Sequence, residues 1–93
     1  MDDLVRVGFG NYISPSRVLL VASPETAPIQ RLVRQAKEDG IVIDMTNGRR
    51  TQAVIFLDTG TIGLVGLSLA QLSSRGLPVP AELLVRRKRS RRA

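Results

Sequence analysis

Ninety-three residues with 43% hydrophobic and 24% charged content and a net charge of +6 fit one globular domain with a modest core. With neither cysteine nor histidine, the chain is excluded from disulfide scaffolds, Cys- or His-based zinc sites and His-dependent nucleophilic catalysis. One tyrosine, two phenylalanines and no tryptophan argue against an aromatic platform for single-stranded nucleic acid.

In chain order, LVRVGFGN (4–11) reads as a strand broken at the Gly8/Gly10 pair. RVLLVA (17–22) is a nearly continuous apolar run, which predicts a strand buried on both faces. Ser23 and Pro24 supply an N-cap and an N1 proline, so a helix is expected to open there. Ile29, Leu32, Val33 and Ala36 form its apolar stripe, Arg31, Arg34, Lys37 and Glu38 its polar side, and Gly40 its C′ stop. Pro28 falls within the first turn or so, where a missing N–H is tolerated.

IVIDM (41–45) and RTQAVIFLD (50–58) read as strands of a hairpin closed by Asn47-Gly48. A two-residue turn would set Met45 opposite Arg50 and Thr46 opposite Arg49. TIGLVGL (61–67) is a further strand, and Ser68 with Gln71 is a capping-box pattern for a short helix ending near Gly76. The expectation is an α+β fold, with a small, mostly antiparallel sheet of about five strands, one longer helix and one short C-terminal helix. Residues 1–77 would form the folded domain and 78–93 a Pro-containing linker and basic, disordered tail.

The charge is unevenly placed. RRKRSRR (86–92) holds six of the fourteen basic residues, which leaves eight basic and eight acidic residues in 1–85. Arg86, Arg87, Lys88, Arg89, Arg91 and Arg92 are therefore an auxiliary polyanion-binding tail on a formally neutral body. Two apparent motifs are decoys. GFGNYI lacks the third glycine and the following helix of a dinucleotide fingerprint. VIFLDTGT resembles the active-site loop of retroviral-type aspartic proteases, with Asp58 as the carboxylate, but only 33 residues follow Gly60, too few for the rest of such a barrel. Asp-Thr-Gly is equally at home in a turn. Arg49 and Arg50 remain the informative pair: adjacent planar cations beside a tight turn suit phosphate.

VGFGN, SRVLLVASPETAPIQRLVRQAKEDG and GRRTQAVIFLD, in this order and spacing, resemble the RemA family of bacterial extracellular-matrix regulators over roughly residues 4–75. The acidic MDDLVRVGFG start is unlike a secretory signal, so a cytoplasmic location is expected. The resemblance implies a non-enzymatic, nucleoid-associated transcriptional activator of biofilm-matrix genes. It further implies a ring-shaped homo-oligomer around which double-stranded DNA wraps. It assigns DNA contact to Arg17, Arg49 and Arg50, and a functional, structural or assembly role to Pro28. Apart from the resemblance, Arg34 on the polar face of the helix is a lesser candidate for DNA contact beside its reading as a solvated charge, and Gly48 is a structural residue of the turn. Gln52 departs from the pattern, standing where a basic residue is expected. No cofactor, metal, membrane partner or small-molecule substrate is expected. An RNA- or ribosome-associated protein acting through the tail is the alternative, with the aspartic protease a remote third.

Overall fold

A computed structural model describes residues 3–81, 83 and 84. Its first element is a hairpin, β1 (Val5–Gly8) against β2 (Asn11–Ile13). The glycine pair does break the first strand, but it also turns it back. Phe9 and Gly10 both take positive φ, 55° and 81°, which is the handedness a two-residue hairpin turn requires. A 3-10 turn (Pro15–Arg17) then leads into β3 (Val18–Ala22), α1 (Ala27–Glu38), β4 (Val42–Met45), β5 (Ala53–Leu57), β6 (Ile62–Val65) and α2 (Leu69–Ser74).

The fold is α+β as expected, with six strands divided between the hairpin and a four-stranded sheet of order β3-β5-β6-β4. Among the described residues only the β4–β6 ladder is parallel. Both faces of the larger sheet are covered. Val54, Ile62 and Leu64 pack on one face beneath Ile29, Val33 and Ala36 of α1. Ala53, Ile55 and Val65 point the other way, against Val5 and Val7 of the hairpin and Leu72 of α2. That period-two alternation explains why AVIF and IGLV read as continuous apolar runs. Gly63 gives up its side chain to this packing: a Cβ there would lie 2.7 Å from Met45 Cε and 2.9 Å from Ile55 Cγ1.

Three expectations are corrected. The first concerns the hairpin. Asn47 and Gly48 have φ of 54° and 82°, and the Arg49 N–H donates to the Thr46 carbonyl at 3.0 Å, so the turn forms. It does not join neighbouring strands, however. β6 lies between β4 and β5, and Val65 is paired with Met45 on one side and Ala53 on the other. Met45 therefore does not face Arg50, nor Thr46 Arg49. β6 is buried along its whole length and takes the centre, whereas β4 carries Asp44 and suits an edge.

The second correction concerns β3, which is the opposite edge of the sheet rather than a strand buried on both faces. Its register shifts between Val18 and Leu20, and Leu19 and Leu20 are 71% and 48% exposed. The third concerns α1, which is capped at Thr26, not Ser23. A start at Pro24 would put Pro28 inside the helix, with its ring against the carbonyl of residue 24. Opening at Ala27 keeps Pro28 in the first turn and frees that carbonyl, which accepts from Gln30 Nε2 at 3.1 Å. Ser23 Oγ instead accepts from the Glu25 N–H at 3.2 Å. Of the predicted stripe, Leu32 lies off the core and is 51% exposed.

The helix ends follow local sequence closely. At α1 the Gly40 N–H donates to the Lys37 carbonyl and the Ile41 N–H to the Ala36 carbonyl, a Schellman stop at the expected glycine. At α2 the Ser68 N–H donates to Gln71 Oε1 (2.8 Å) while Ser68 Oγ accepts from the Gln71 N–H (3.1 Å), completing the capping box. Gly76 and Leu77 close α2 as Gly40 and Ile41 close α1, and Leu77 is buried. Among the described residues no helix is long and apolar enough to cross a membrane.

Candidate nucleic-acid interface

The segment from Thr46 to Gln52 crosses the end of β6, and each of its ends is fastened. On the β4 side, Asp44 Oδ1 accepts from the Thr46 N–H at 2.9 Å and from its hydroxyl at 2.6 Å, and Thr46 is buried. The Thr46 hydrogen bonds, through side chain and then backbone, hold the Asp44 carboxyl below the usual carboxylate range, and Lys37 adds to this. On the β5 side, the Gln52 N–H donates to the Val65 carbonyl and Gln52 Nε2 to the Gly66 carbonyl, both at 2.8 Å. Gln52 is thus the loop's latch, which is why a neutral amide suits a position where a cation was expected.

Arg49 and Arg50 are both exposed at this fastened crossing. The Arg49 guanidinium lies over the Phe9 ring, 5.1 Å from its centroid, so the β1–β2 turn and the crossing loop meet here. The Phe9 ring also borders Gly66, where a Cβ would sit 3.6 Å from Phe9 Cε2 and 3.5 Å from Thr46 Cα. Arg50 lines a broad groove of about 800 Å³ with Glu25, Thr51, Gln52 and Ser68, and with Leu83 and Leu84, the last described residues. The six cations at 86–92 lie outside the described residues.

Arg17 is elsewhere. It sits just before β3, whose Val18 pairs with Leu57, whereas Arg50 precedes the other end of β5. A five-residue strand separates the two ends by about 16 Å. Arg17 Nη1 is 3.1 Å from Asp58 Oδ2, and the Asp58 N–H donates to the Arg17 carbonyl at 2.8 Å. Asp58 therefore sits in an Asp58–Gly60 turn with its carboxylate turned to a guanidinium of its own chain, the turn role that Asp-Thr-Gly also allowed. Arg34 is exposed on α1, beside Lys37, at a shallow groove of about 280 Å³ floored by Val54 and Leu64. That groove shares Pro24, Gln30 and Thr51 with the one lined by Arg50, so Arg34 neighbours the crossing loop. Pro28 lies exposed in the first turn of α1 and lines neither groove. Gly48 is required by its φ of 82°, since a Cβ there would meet nothing within 4 Å.

Arg49 and Arg50 are thus together, Arg34 is one groove away, and Arg17 is at the far end of the sheet. Sequence reasoning missed Phe9, treating its segment as a glycine turn. The available signal was an aromatic side chain between two glycines, a position with no hydrophobic period to bury it.

Comparison with known proteins finds the family that the motifs resemble, over the same span. A family model described as RemA-like, extracellular matrix regulatory protein A-like, matches residues 4–75. Relatives bearing the name "putative regulatory protein" include one from Dehalococcoides mccartyi, 42% identical over 87 residues, covering 88% of this chain and 91% of the relative. One from Thermosynechococcus vestitus is 48% identical over 77 residues, covering 83% of this chain and all of the relative. Another from Alkaliphilus metalliredigens is 51% identical over 59 residues, 63% of each chain. The chain belongs to the RemA-like family, and its role is regulatory.

Proposed function

We propose that this protein is a non-enzymatic, cytoplasmic and nucleoid-associated transcriptional regulator of biofilm-matrix genes that binds double-stranded DNA as a ring-shaped homo-oligomer. The observation that carries the reading is the Arg49/Arg50 pair, exposed on a loop pinned at Asp44–Thr46 and at Gln52. A pinned loop loses little freedom on binding, so its cations serve phosphates at low entropic cost. Arg17, Arg34 and the tail are secondary contributors.

Assembly supplies what one subunit lacks. The body of residues 1–85 is formally neutral, so two arginines have to be repeated to hold DNA. Both edges of the larger sheet expose apolar residues: Leu19 and Leu20 on β3, Ile43 on β4 and Ile41 beside it. A contact between unlike edges is heterologous and closes into a ring when its rotation permits. Repeated arginines around such a ring read DNA through shape and bendability rather than base edges.

The test is fluorescence anisotropy on a duplex of about 60 base pairs across a salt series, each neutralised phosphate contributing about 0.9 to the log–log slope. Wild type is compared with Arg49→Ala/Arg50→Ala and with a chain ending at residue 85. The double variant is expected to lose most of the binding, and the truncation mainly to flatten the slope. Loss of binding on truncation alone, with the double variant unaffected, refutes the reading in favour of a tail-driven polyanion binder.

A further inference from the structure

We infer that Phe9 is a positioning residue for Arg49, holding its guanidinium ready to meet phosphate; this rests on the DNA-binding reading above. Phe9 occupies a costly conformation. Its φ of 55° lies in the left-handed region that glycine enters freely and a side chain bearing Cβ does not. Strain of this kind persists where surrounding structure maintains it, and often at functional sites. Burial does not account for the choice of phenylalanine, because the residue is 43% exposed.

What the ring does touch is the arginine loop. Arg49 lies over it, its edge borders Gly66, and the Gly66 carbonyl receives the Gln52 latch. A guanidinium presents its attractive carbon face to a π cloud while its N–H donors radiate in its own plane. A guanidinium held over the Phe9 ring can turn its face to the π cloud and keep its in-plane donors for a phosphate fork. The contact also removes rotamer freedom before binding rather than during it. The neighbouring Arg50 lines the groove instead, so the two adjacent cations are held differently.

The test is a double-mutant cycle read by anisotropy on the same duplex at fixed salt, with Phe9→Leu, Arg49→Ala and the combination. An exposed cation–π contact corresponds to about a two- to five-fold loss of affinity per engaged subunit for Phe9→Leu. No further loss is expected when Arg49 is already alanine. The salt slope should stay at the wild-type value in Phe9→Leu, because no charge is removed. Phe9→Tyr keeps the ring and should bind as wild type. Phe9→Asn is a second ringless variant, suited to the left-handed backbone, and should weaken binding as Phe9→Leu does. Thermal melts of each variant separate this from unfolding.

Wild-type affinity in both ringless variants overturns the inference while leaving the DNA reading intact. So does an equal loss in the Arg49→Ala background, which would mean that the ring itself touches DNA. A wild-type protein that binds no duplex overturns the DNA reading and the inference with it.

Discussion

The Arg17–Asp58 pair offers a direct test of whether Arg17 belongs to the proposed DNA-binding surface. Replacing Asp58 by asparagine removes the carboxylate charge 3.1 Å from the guanidinium while leaving the backbone hydrogen bond from residue 58 to the Arg17 carbonyl. The two side chains are 66% and 34% exposed, so solvent screens the pair, and its loss should cost about 0.2–1 kcal/mol. For a domain of this size that is a drop in melting temperature of at most about 4–8 °C. Binding should move the other way. An unpaired Arg17 is free to neutralise one phosphate, which steepens the salt slope by about 0.9 for each subunit whose Arg17 meets DNA. A salt series by anisotropy, with a thermal melt on the same preparation, measures both quantities. An unchanged slope refutes the assignment: Arg17 would then be the counter-ion that holds the Asp58 turn, and the DNA surface would be confined to the Arg49/Arg50 end.

Gly63→Ala should destabilise by about 1–3 kcal/mol in chemical denaturation, because its new Cβ would meet Met45 and Ile55 at 2.7 and 2.9 Å in a filled core. A cost near zero would mean that the Met45 tip swings clear. The Asp44 carboxyl is held below its ordinary range by Thr46, so its stabilising effect is complete above a pH of about 4 and is lost as pH falls through its depressed folded value. Melting temperatures from pH 6 to pH 2 should therefore fall less steeply in Asp44→Ala than in wild type, and parallel curves would count against the turn as the cause.

Local grammar was the legible part of the fold. The Ser68–Gln71 box, the Gly40 and Gly76 stops and the Asn47-Gly48 turn each depend on a few consecutive residues, and each stands where the sequence places it. Partnership between distant segments was not legible. Asn-Gly specifies a backbone conformation, and nothing within four residues of it records that β6 will occupy the space beside β4. RVLLVA likewise has the composition of a central strand, and its place at an edge follows from the order of the whole sheet. At the candidate site the two cations were visible as residue types. Their fastening by Gln52 and the ring beneath Arg49 come from residues 14 and 40 positions away, Gly66 and Phe9. Gln52 looked like a missing charge because its amide partner is a backbone carbonyl, which no side-chain pattern announces.

The interposed strand has a consequence for how the arginine loop comes into being. Among the described residues β4 pairs only with β6, and the Gln52 N–H and Nε2 donate to the carbonyls of residues 65 and 66. During synthesis, Arg49 and Arg50 leave the ribosome well before the segment that arranges them. Until residue 66 is in place, β4 has no ladder and the loop no second anchor, so closure is a late, non-local step of the kind that slows folding. A chain interrupted before β6 would still carry every arginine of the body except Arg75, but not their arrangement. The arrangement of the two cations thus exists only once β6 has taken its place in the sheet.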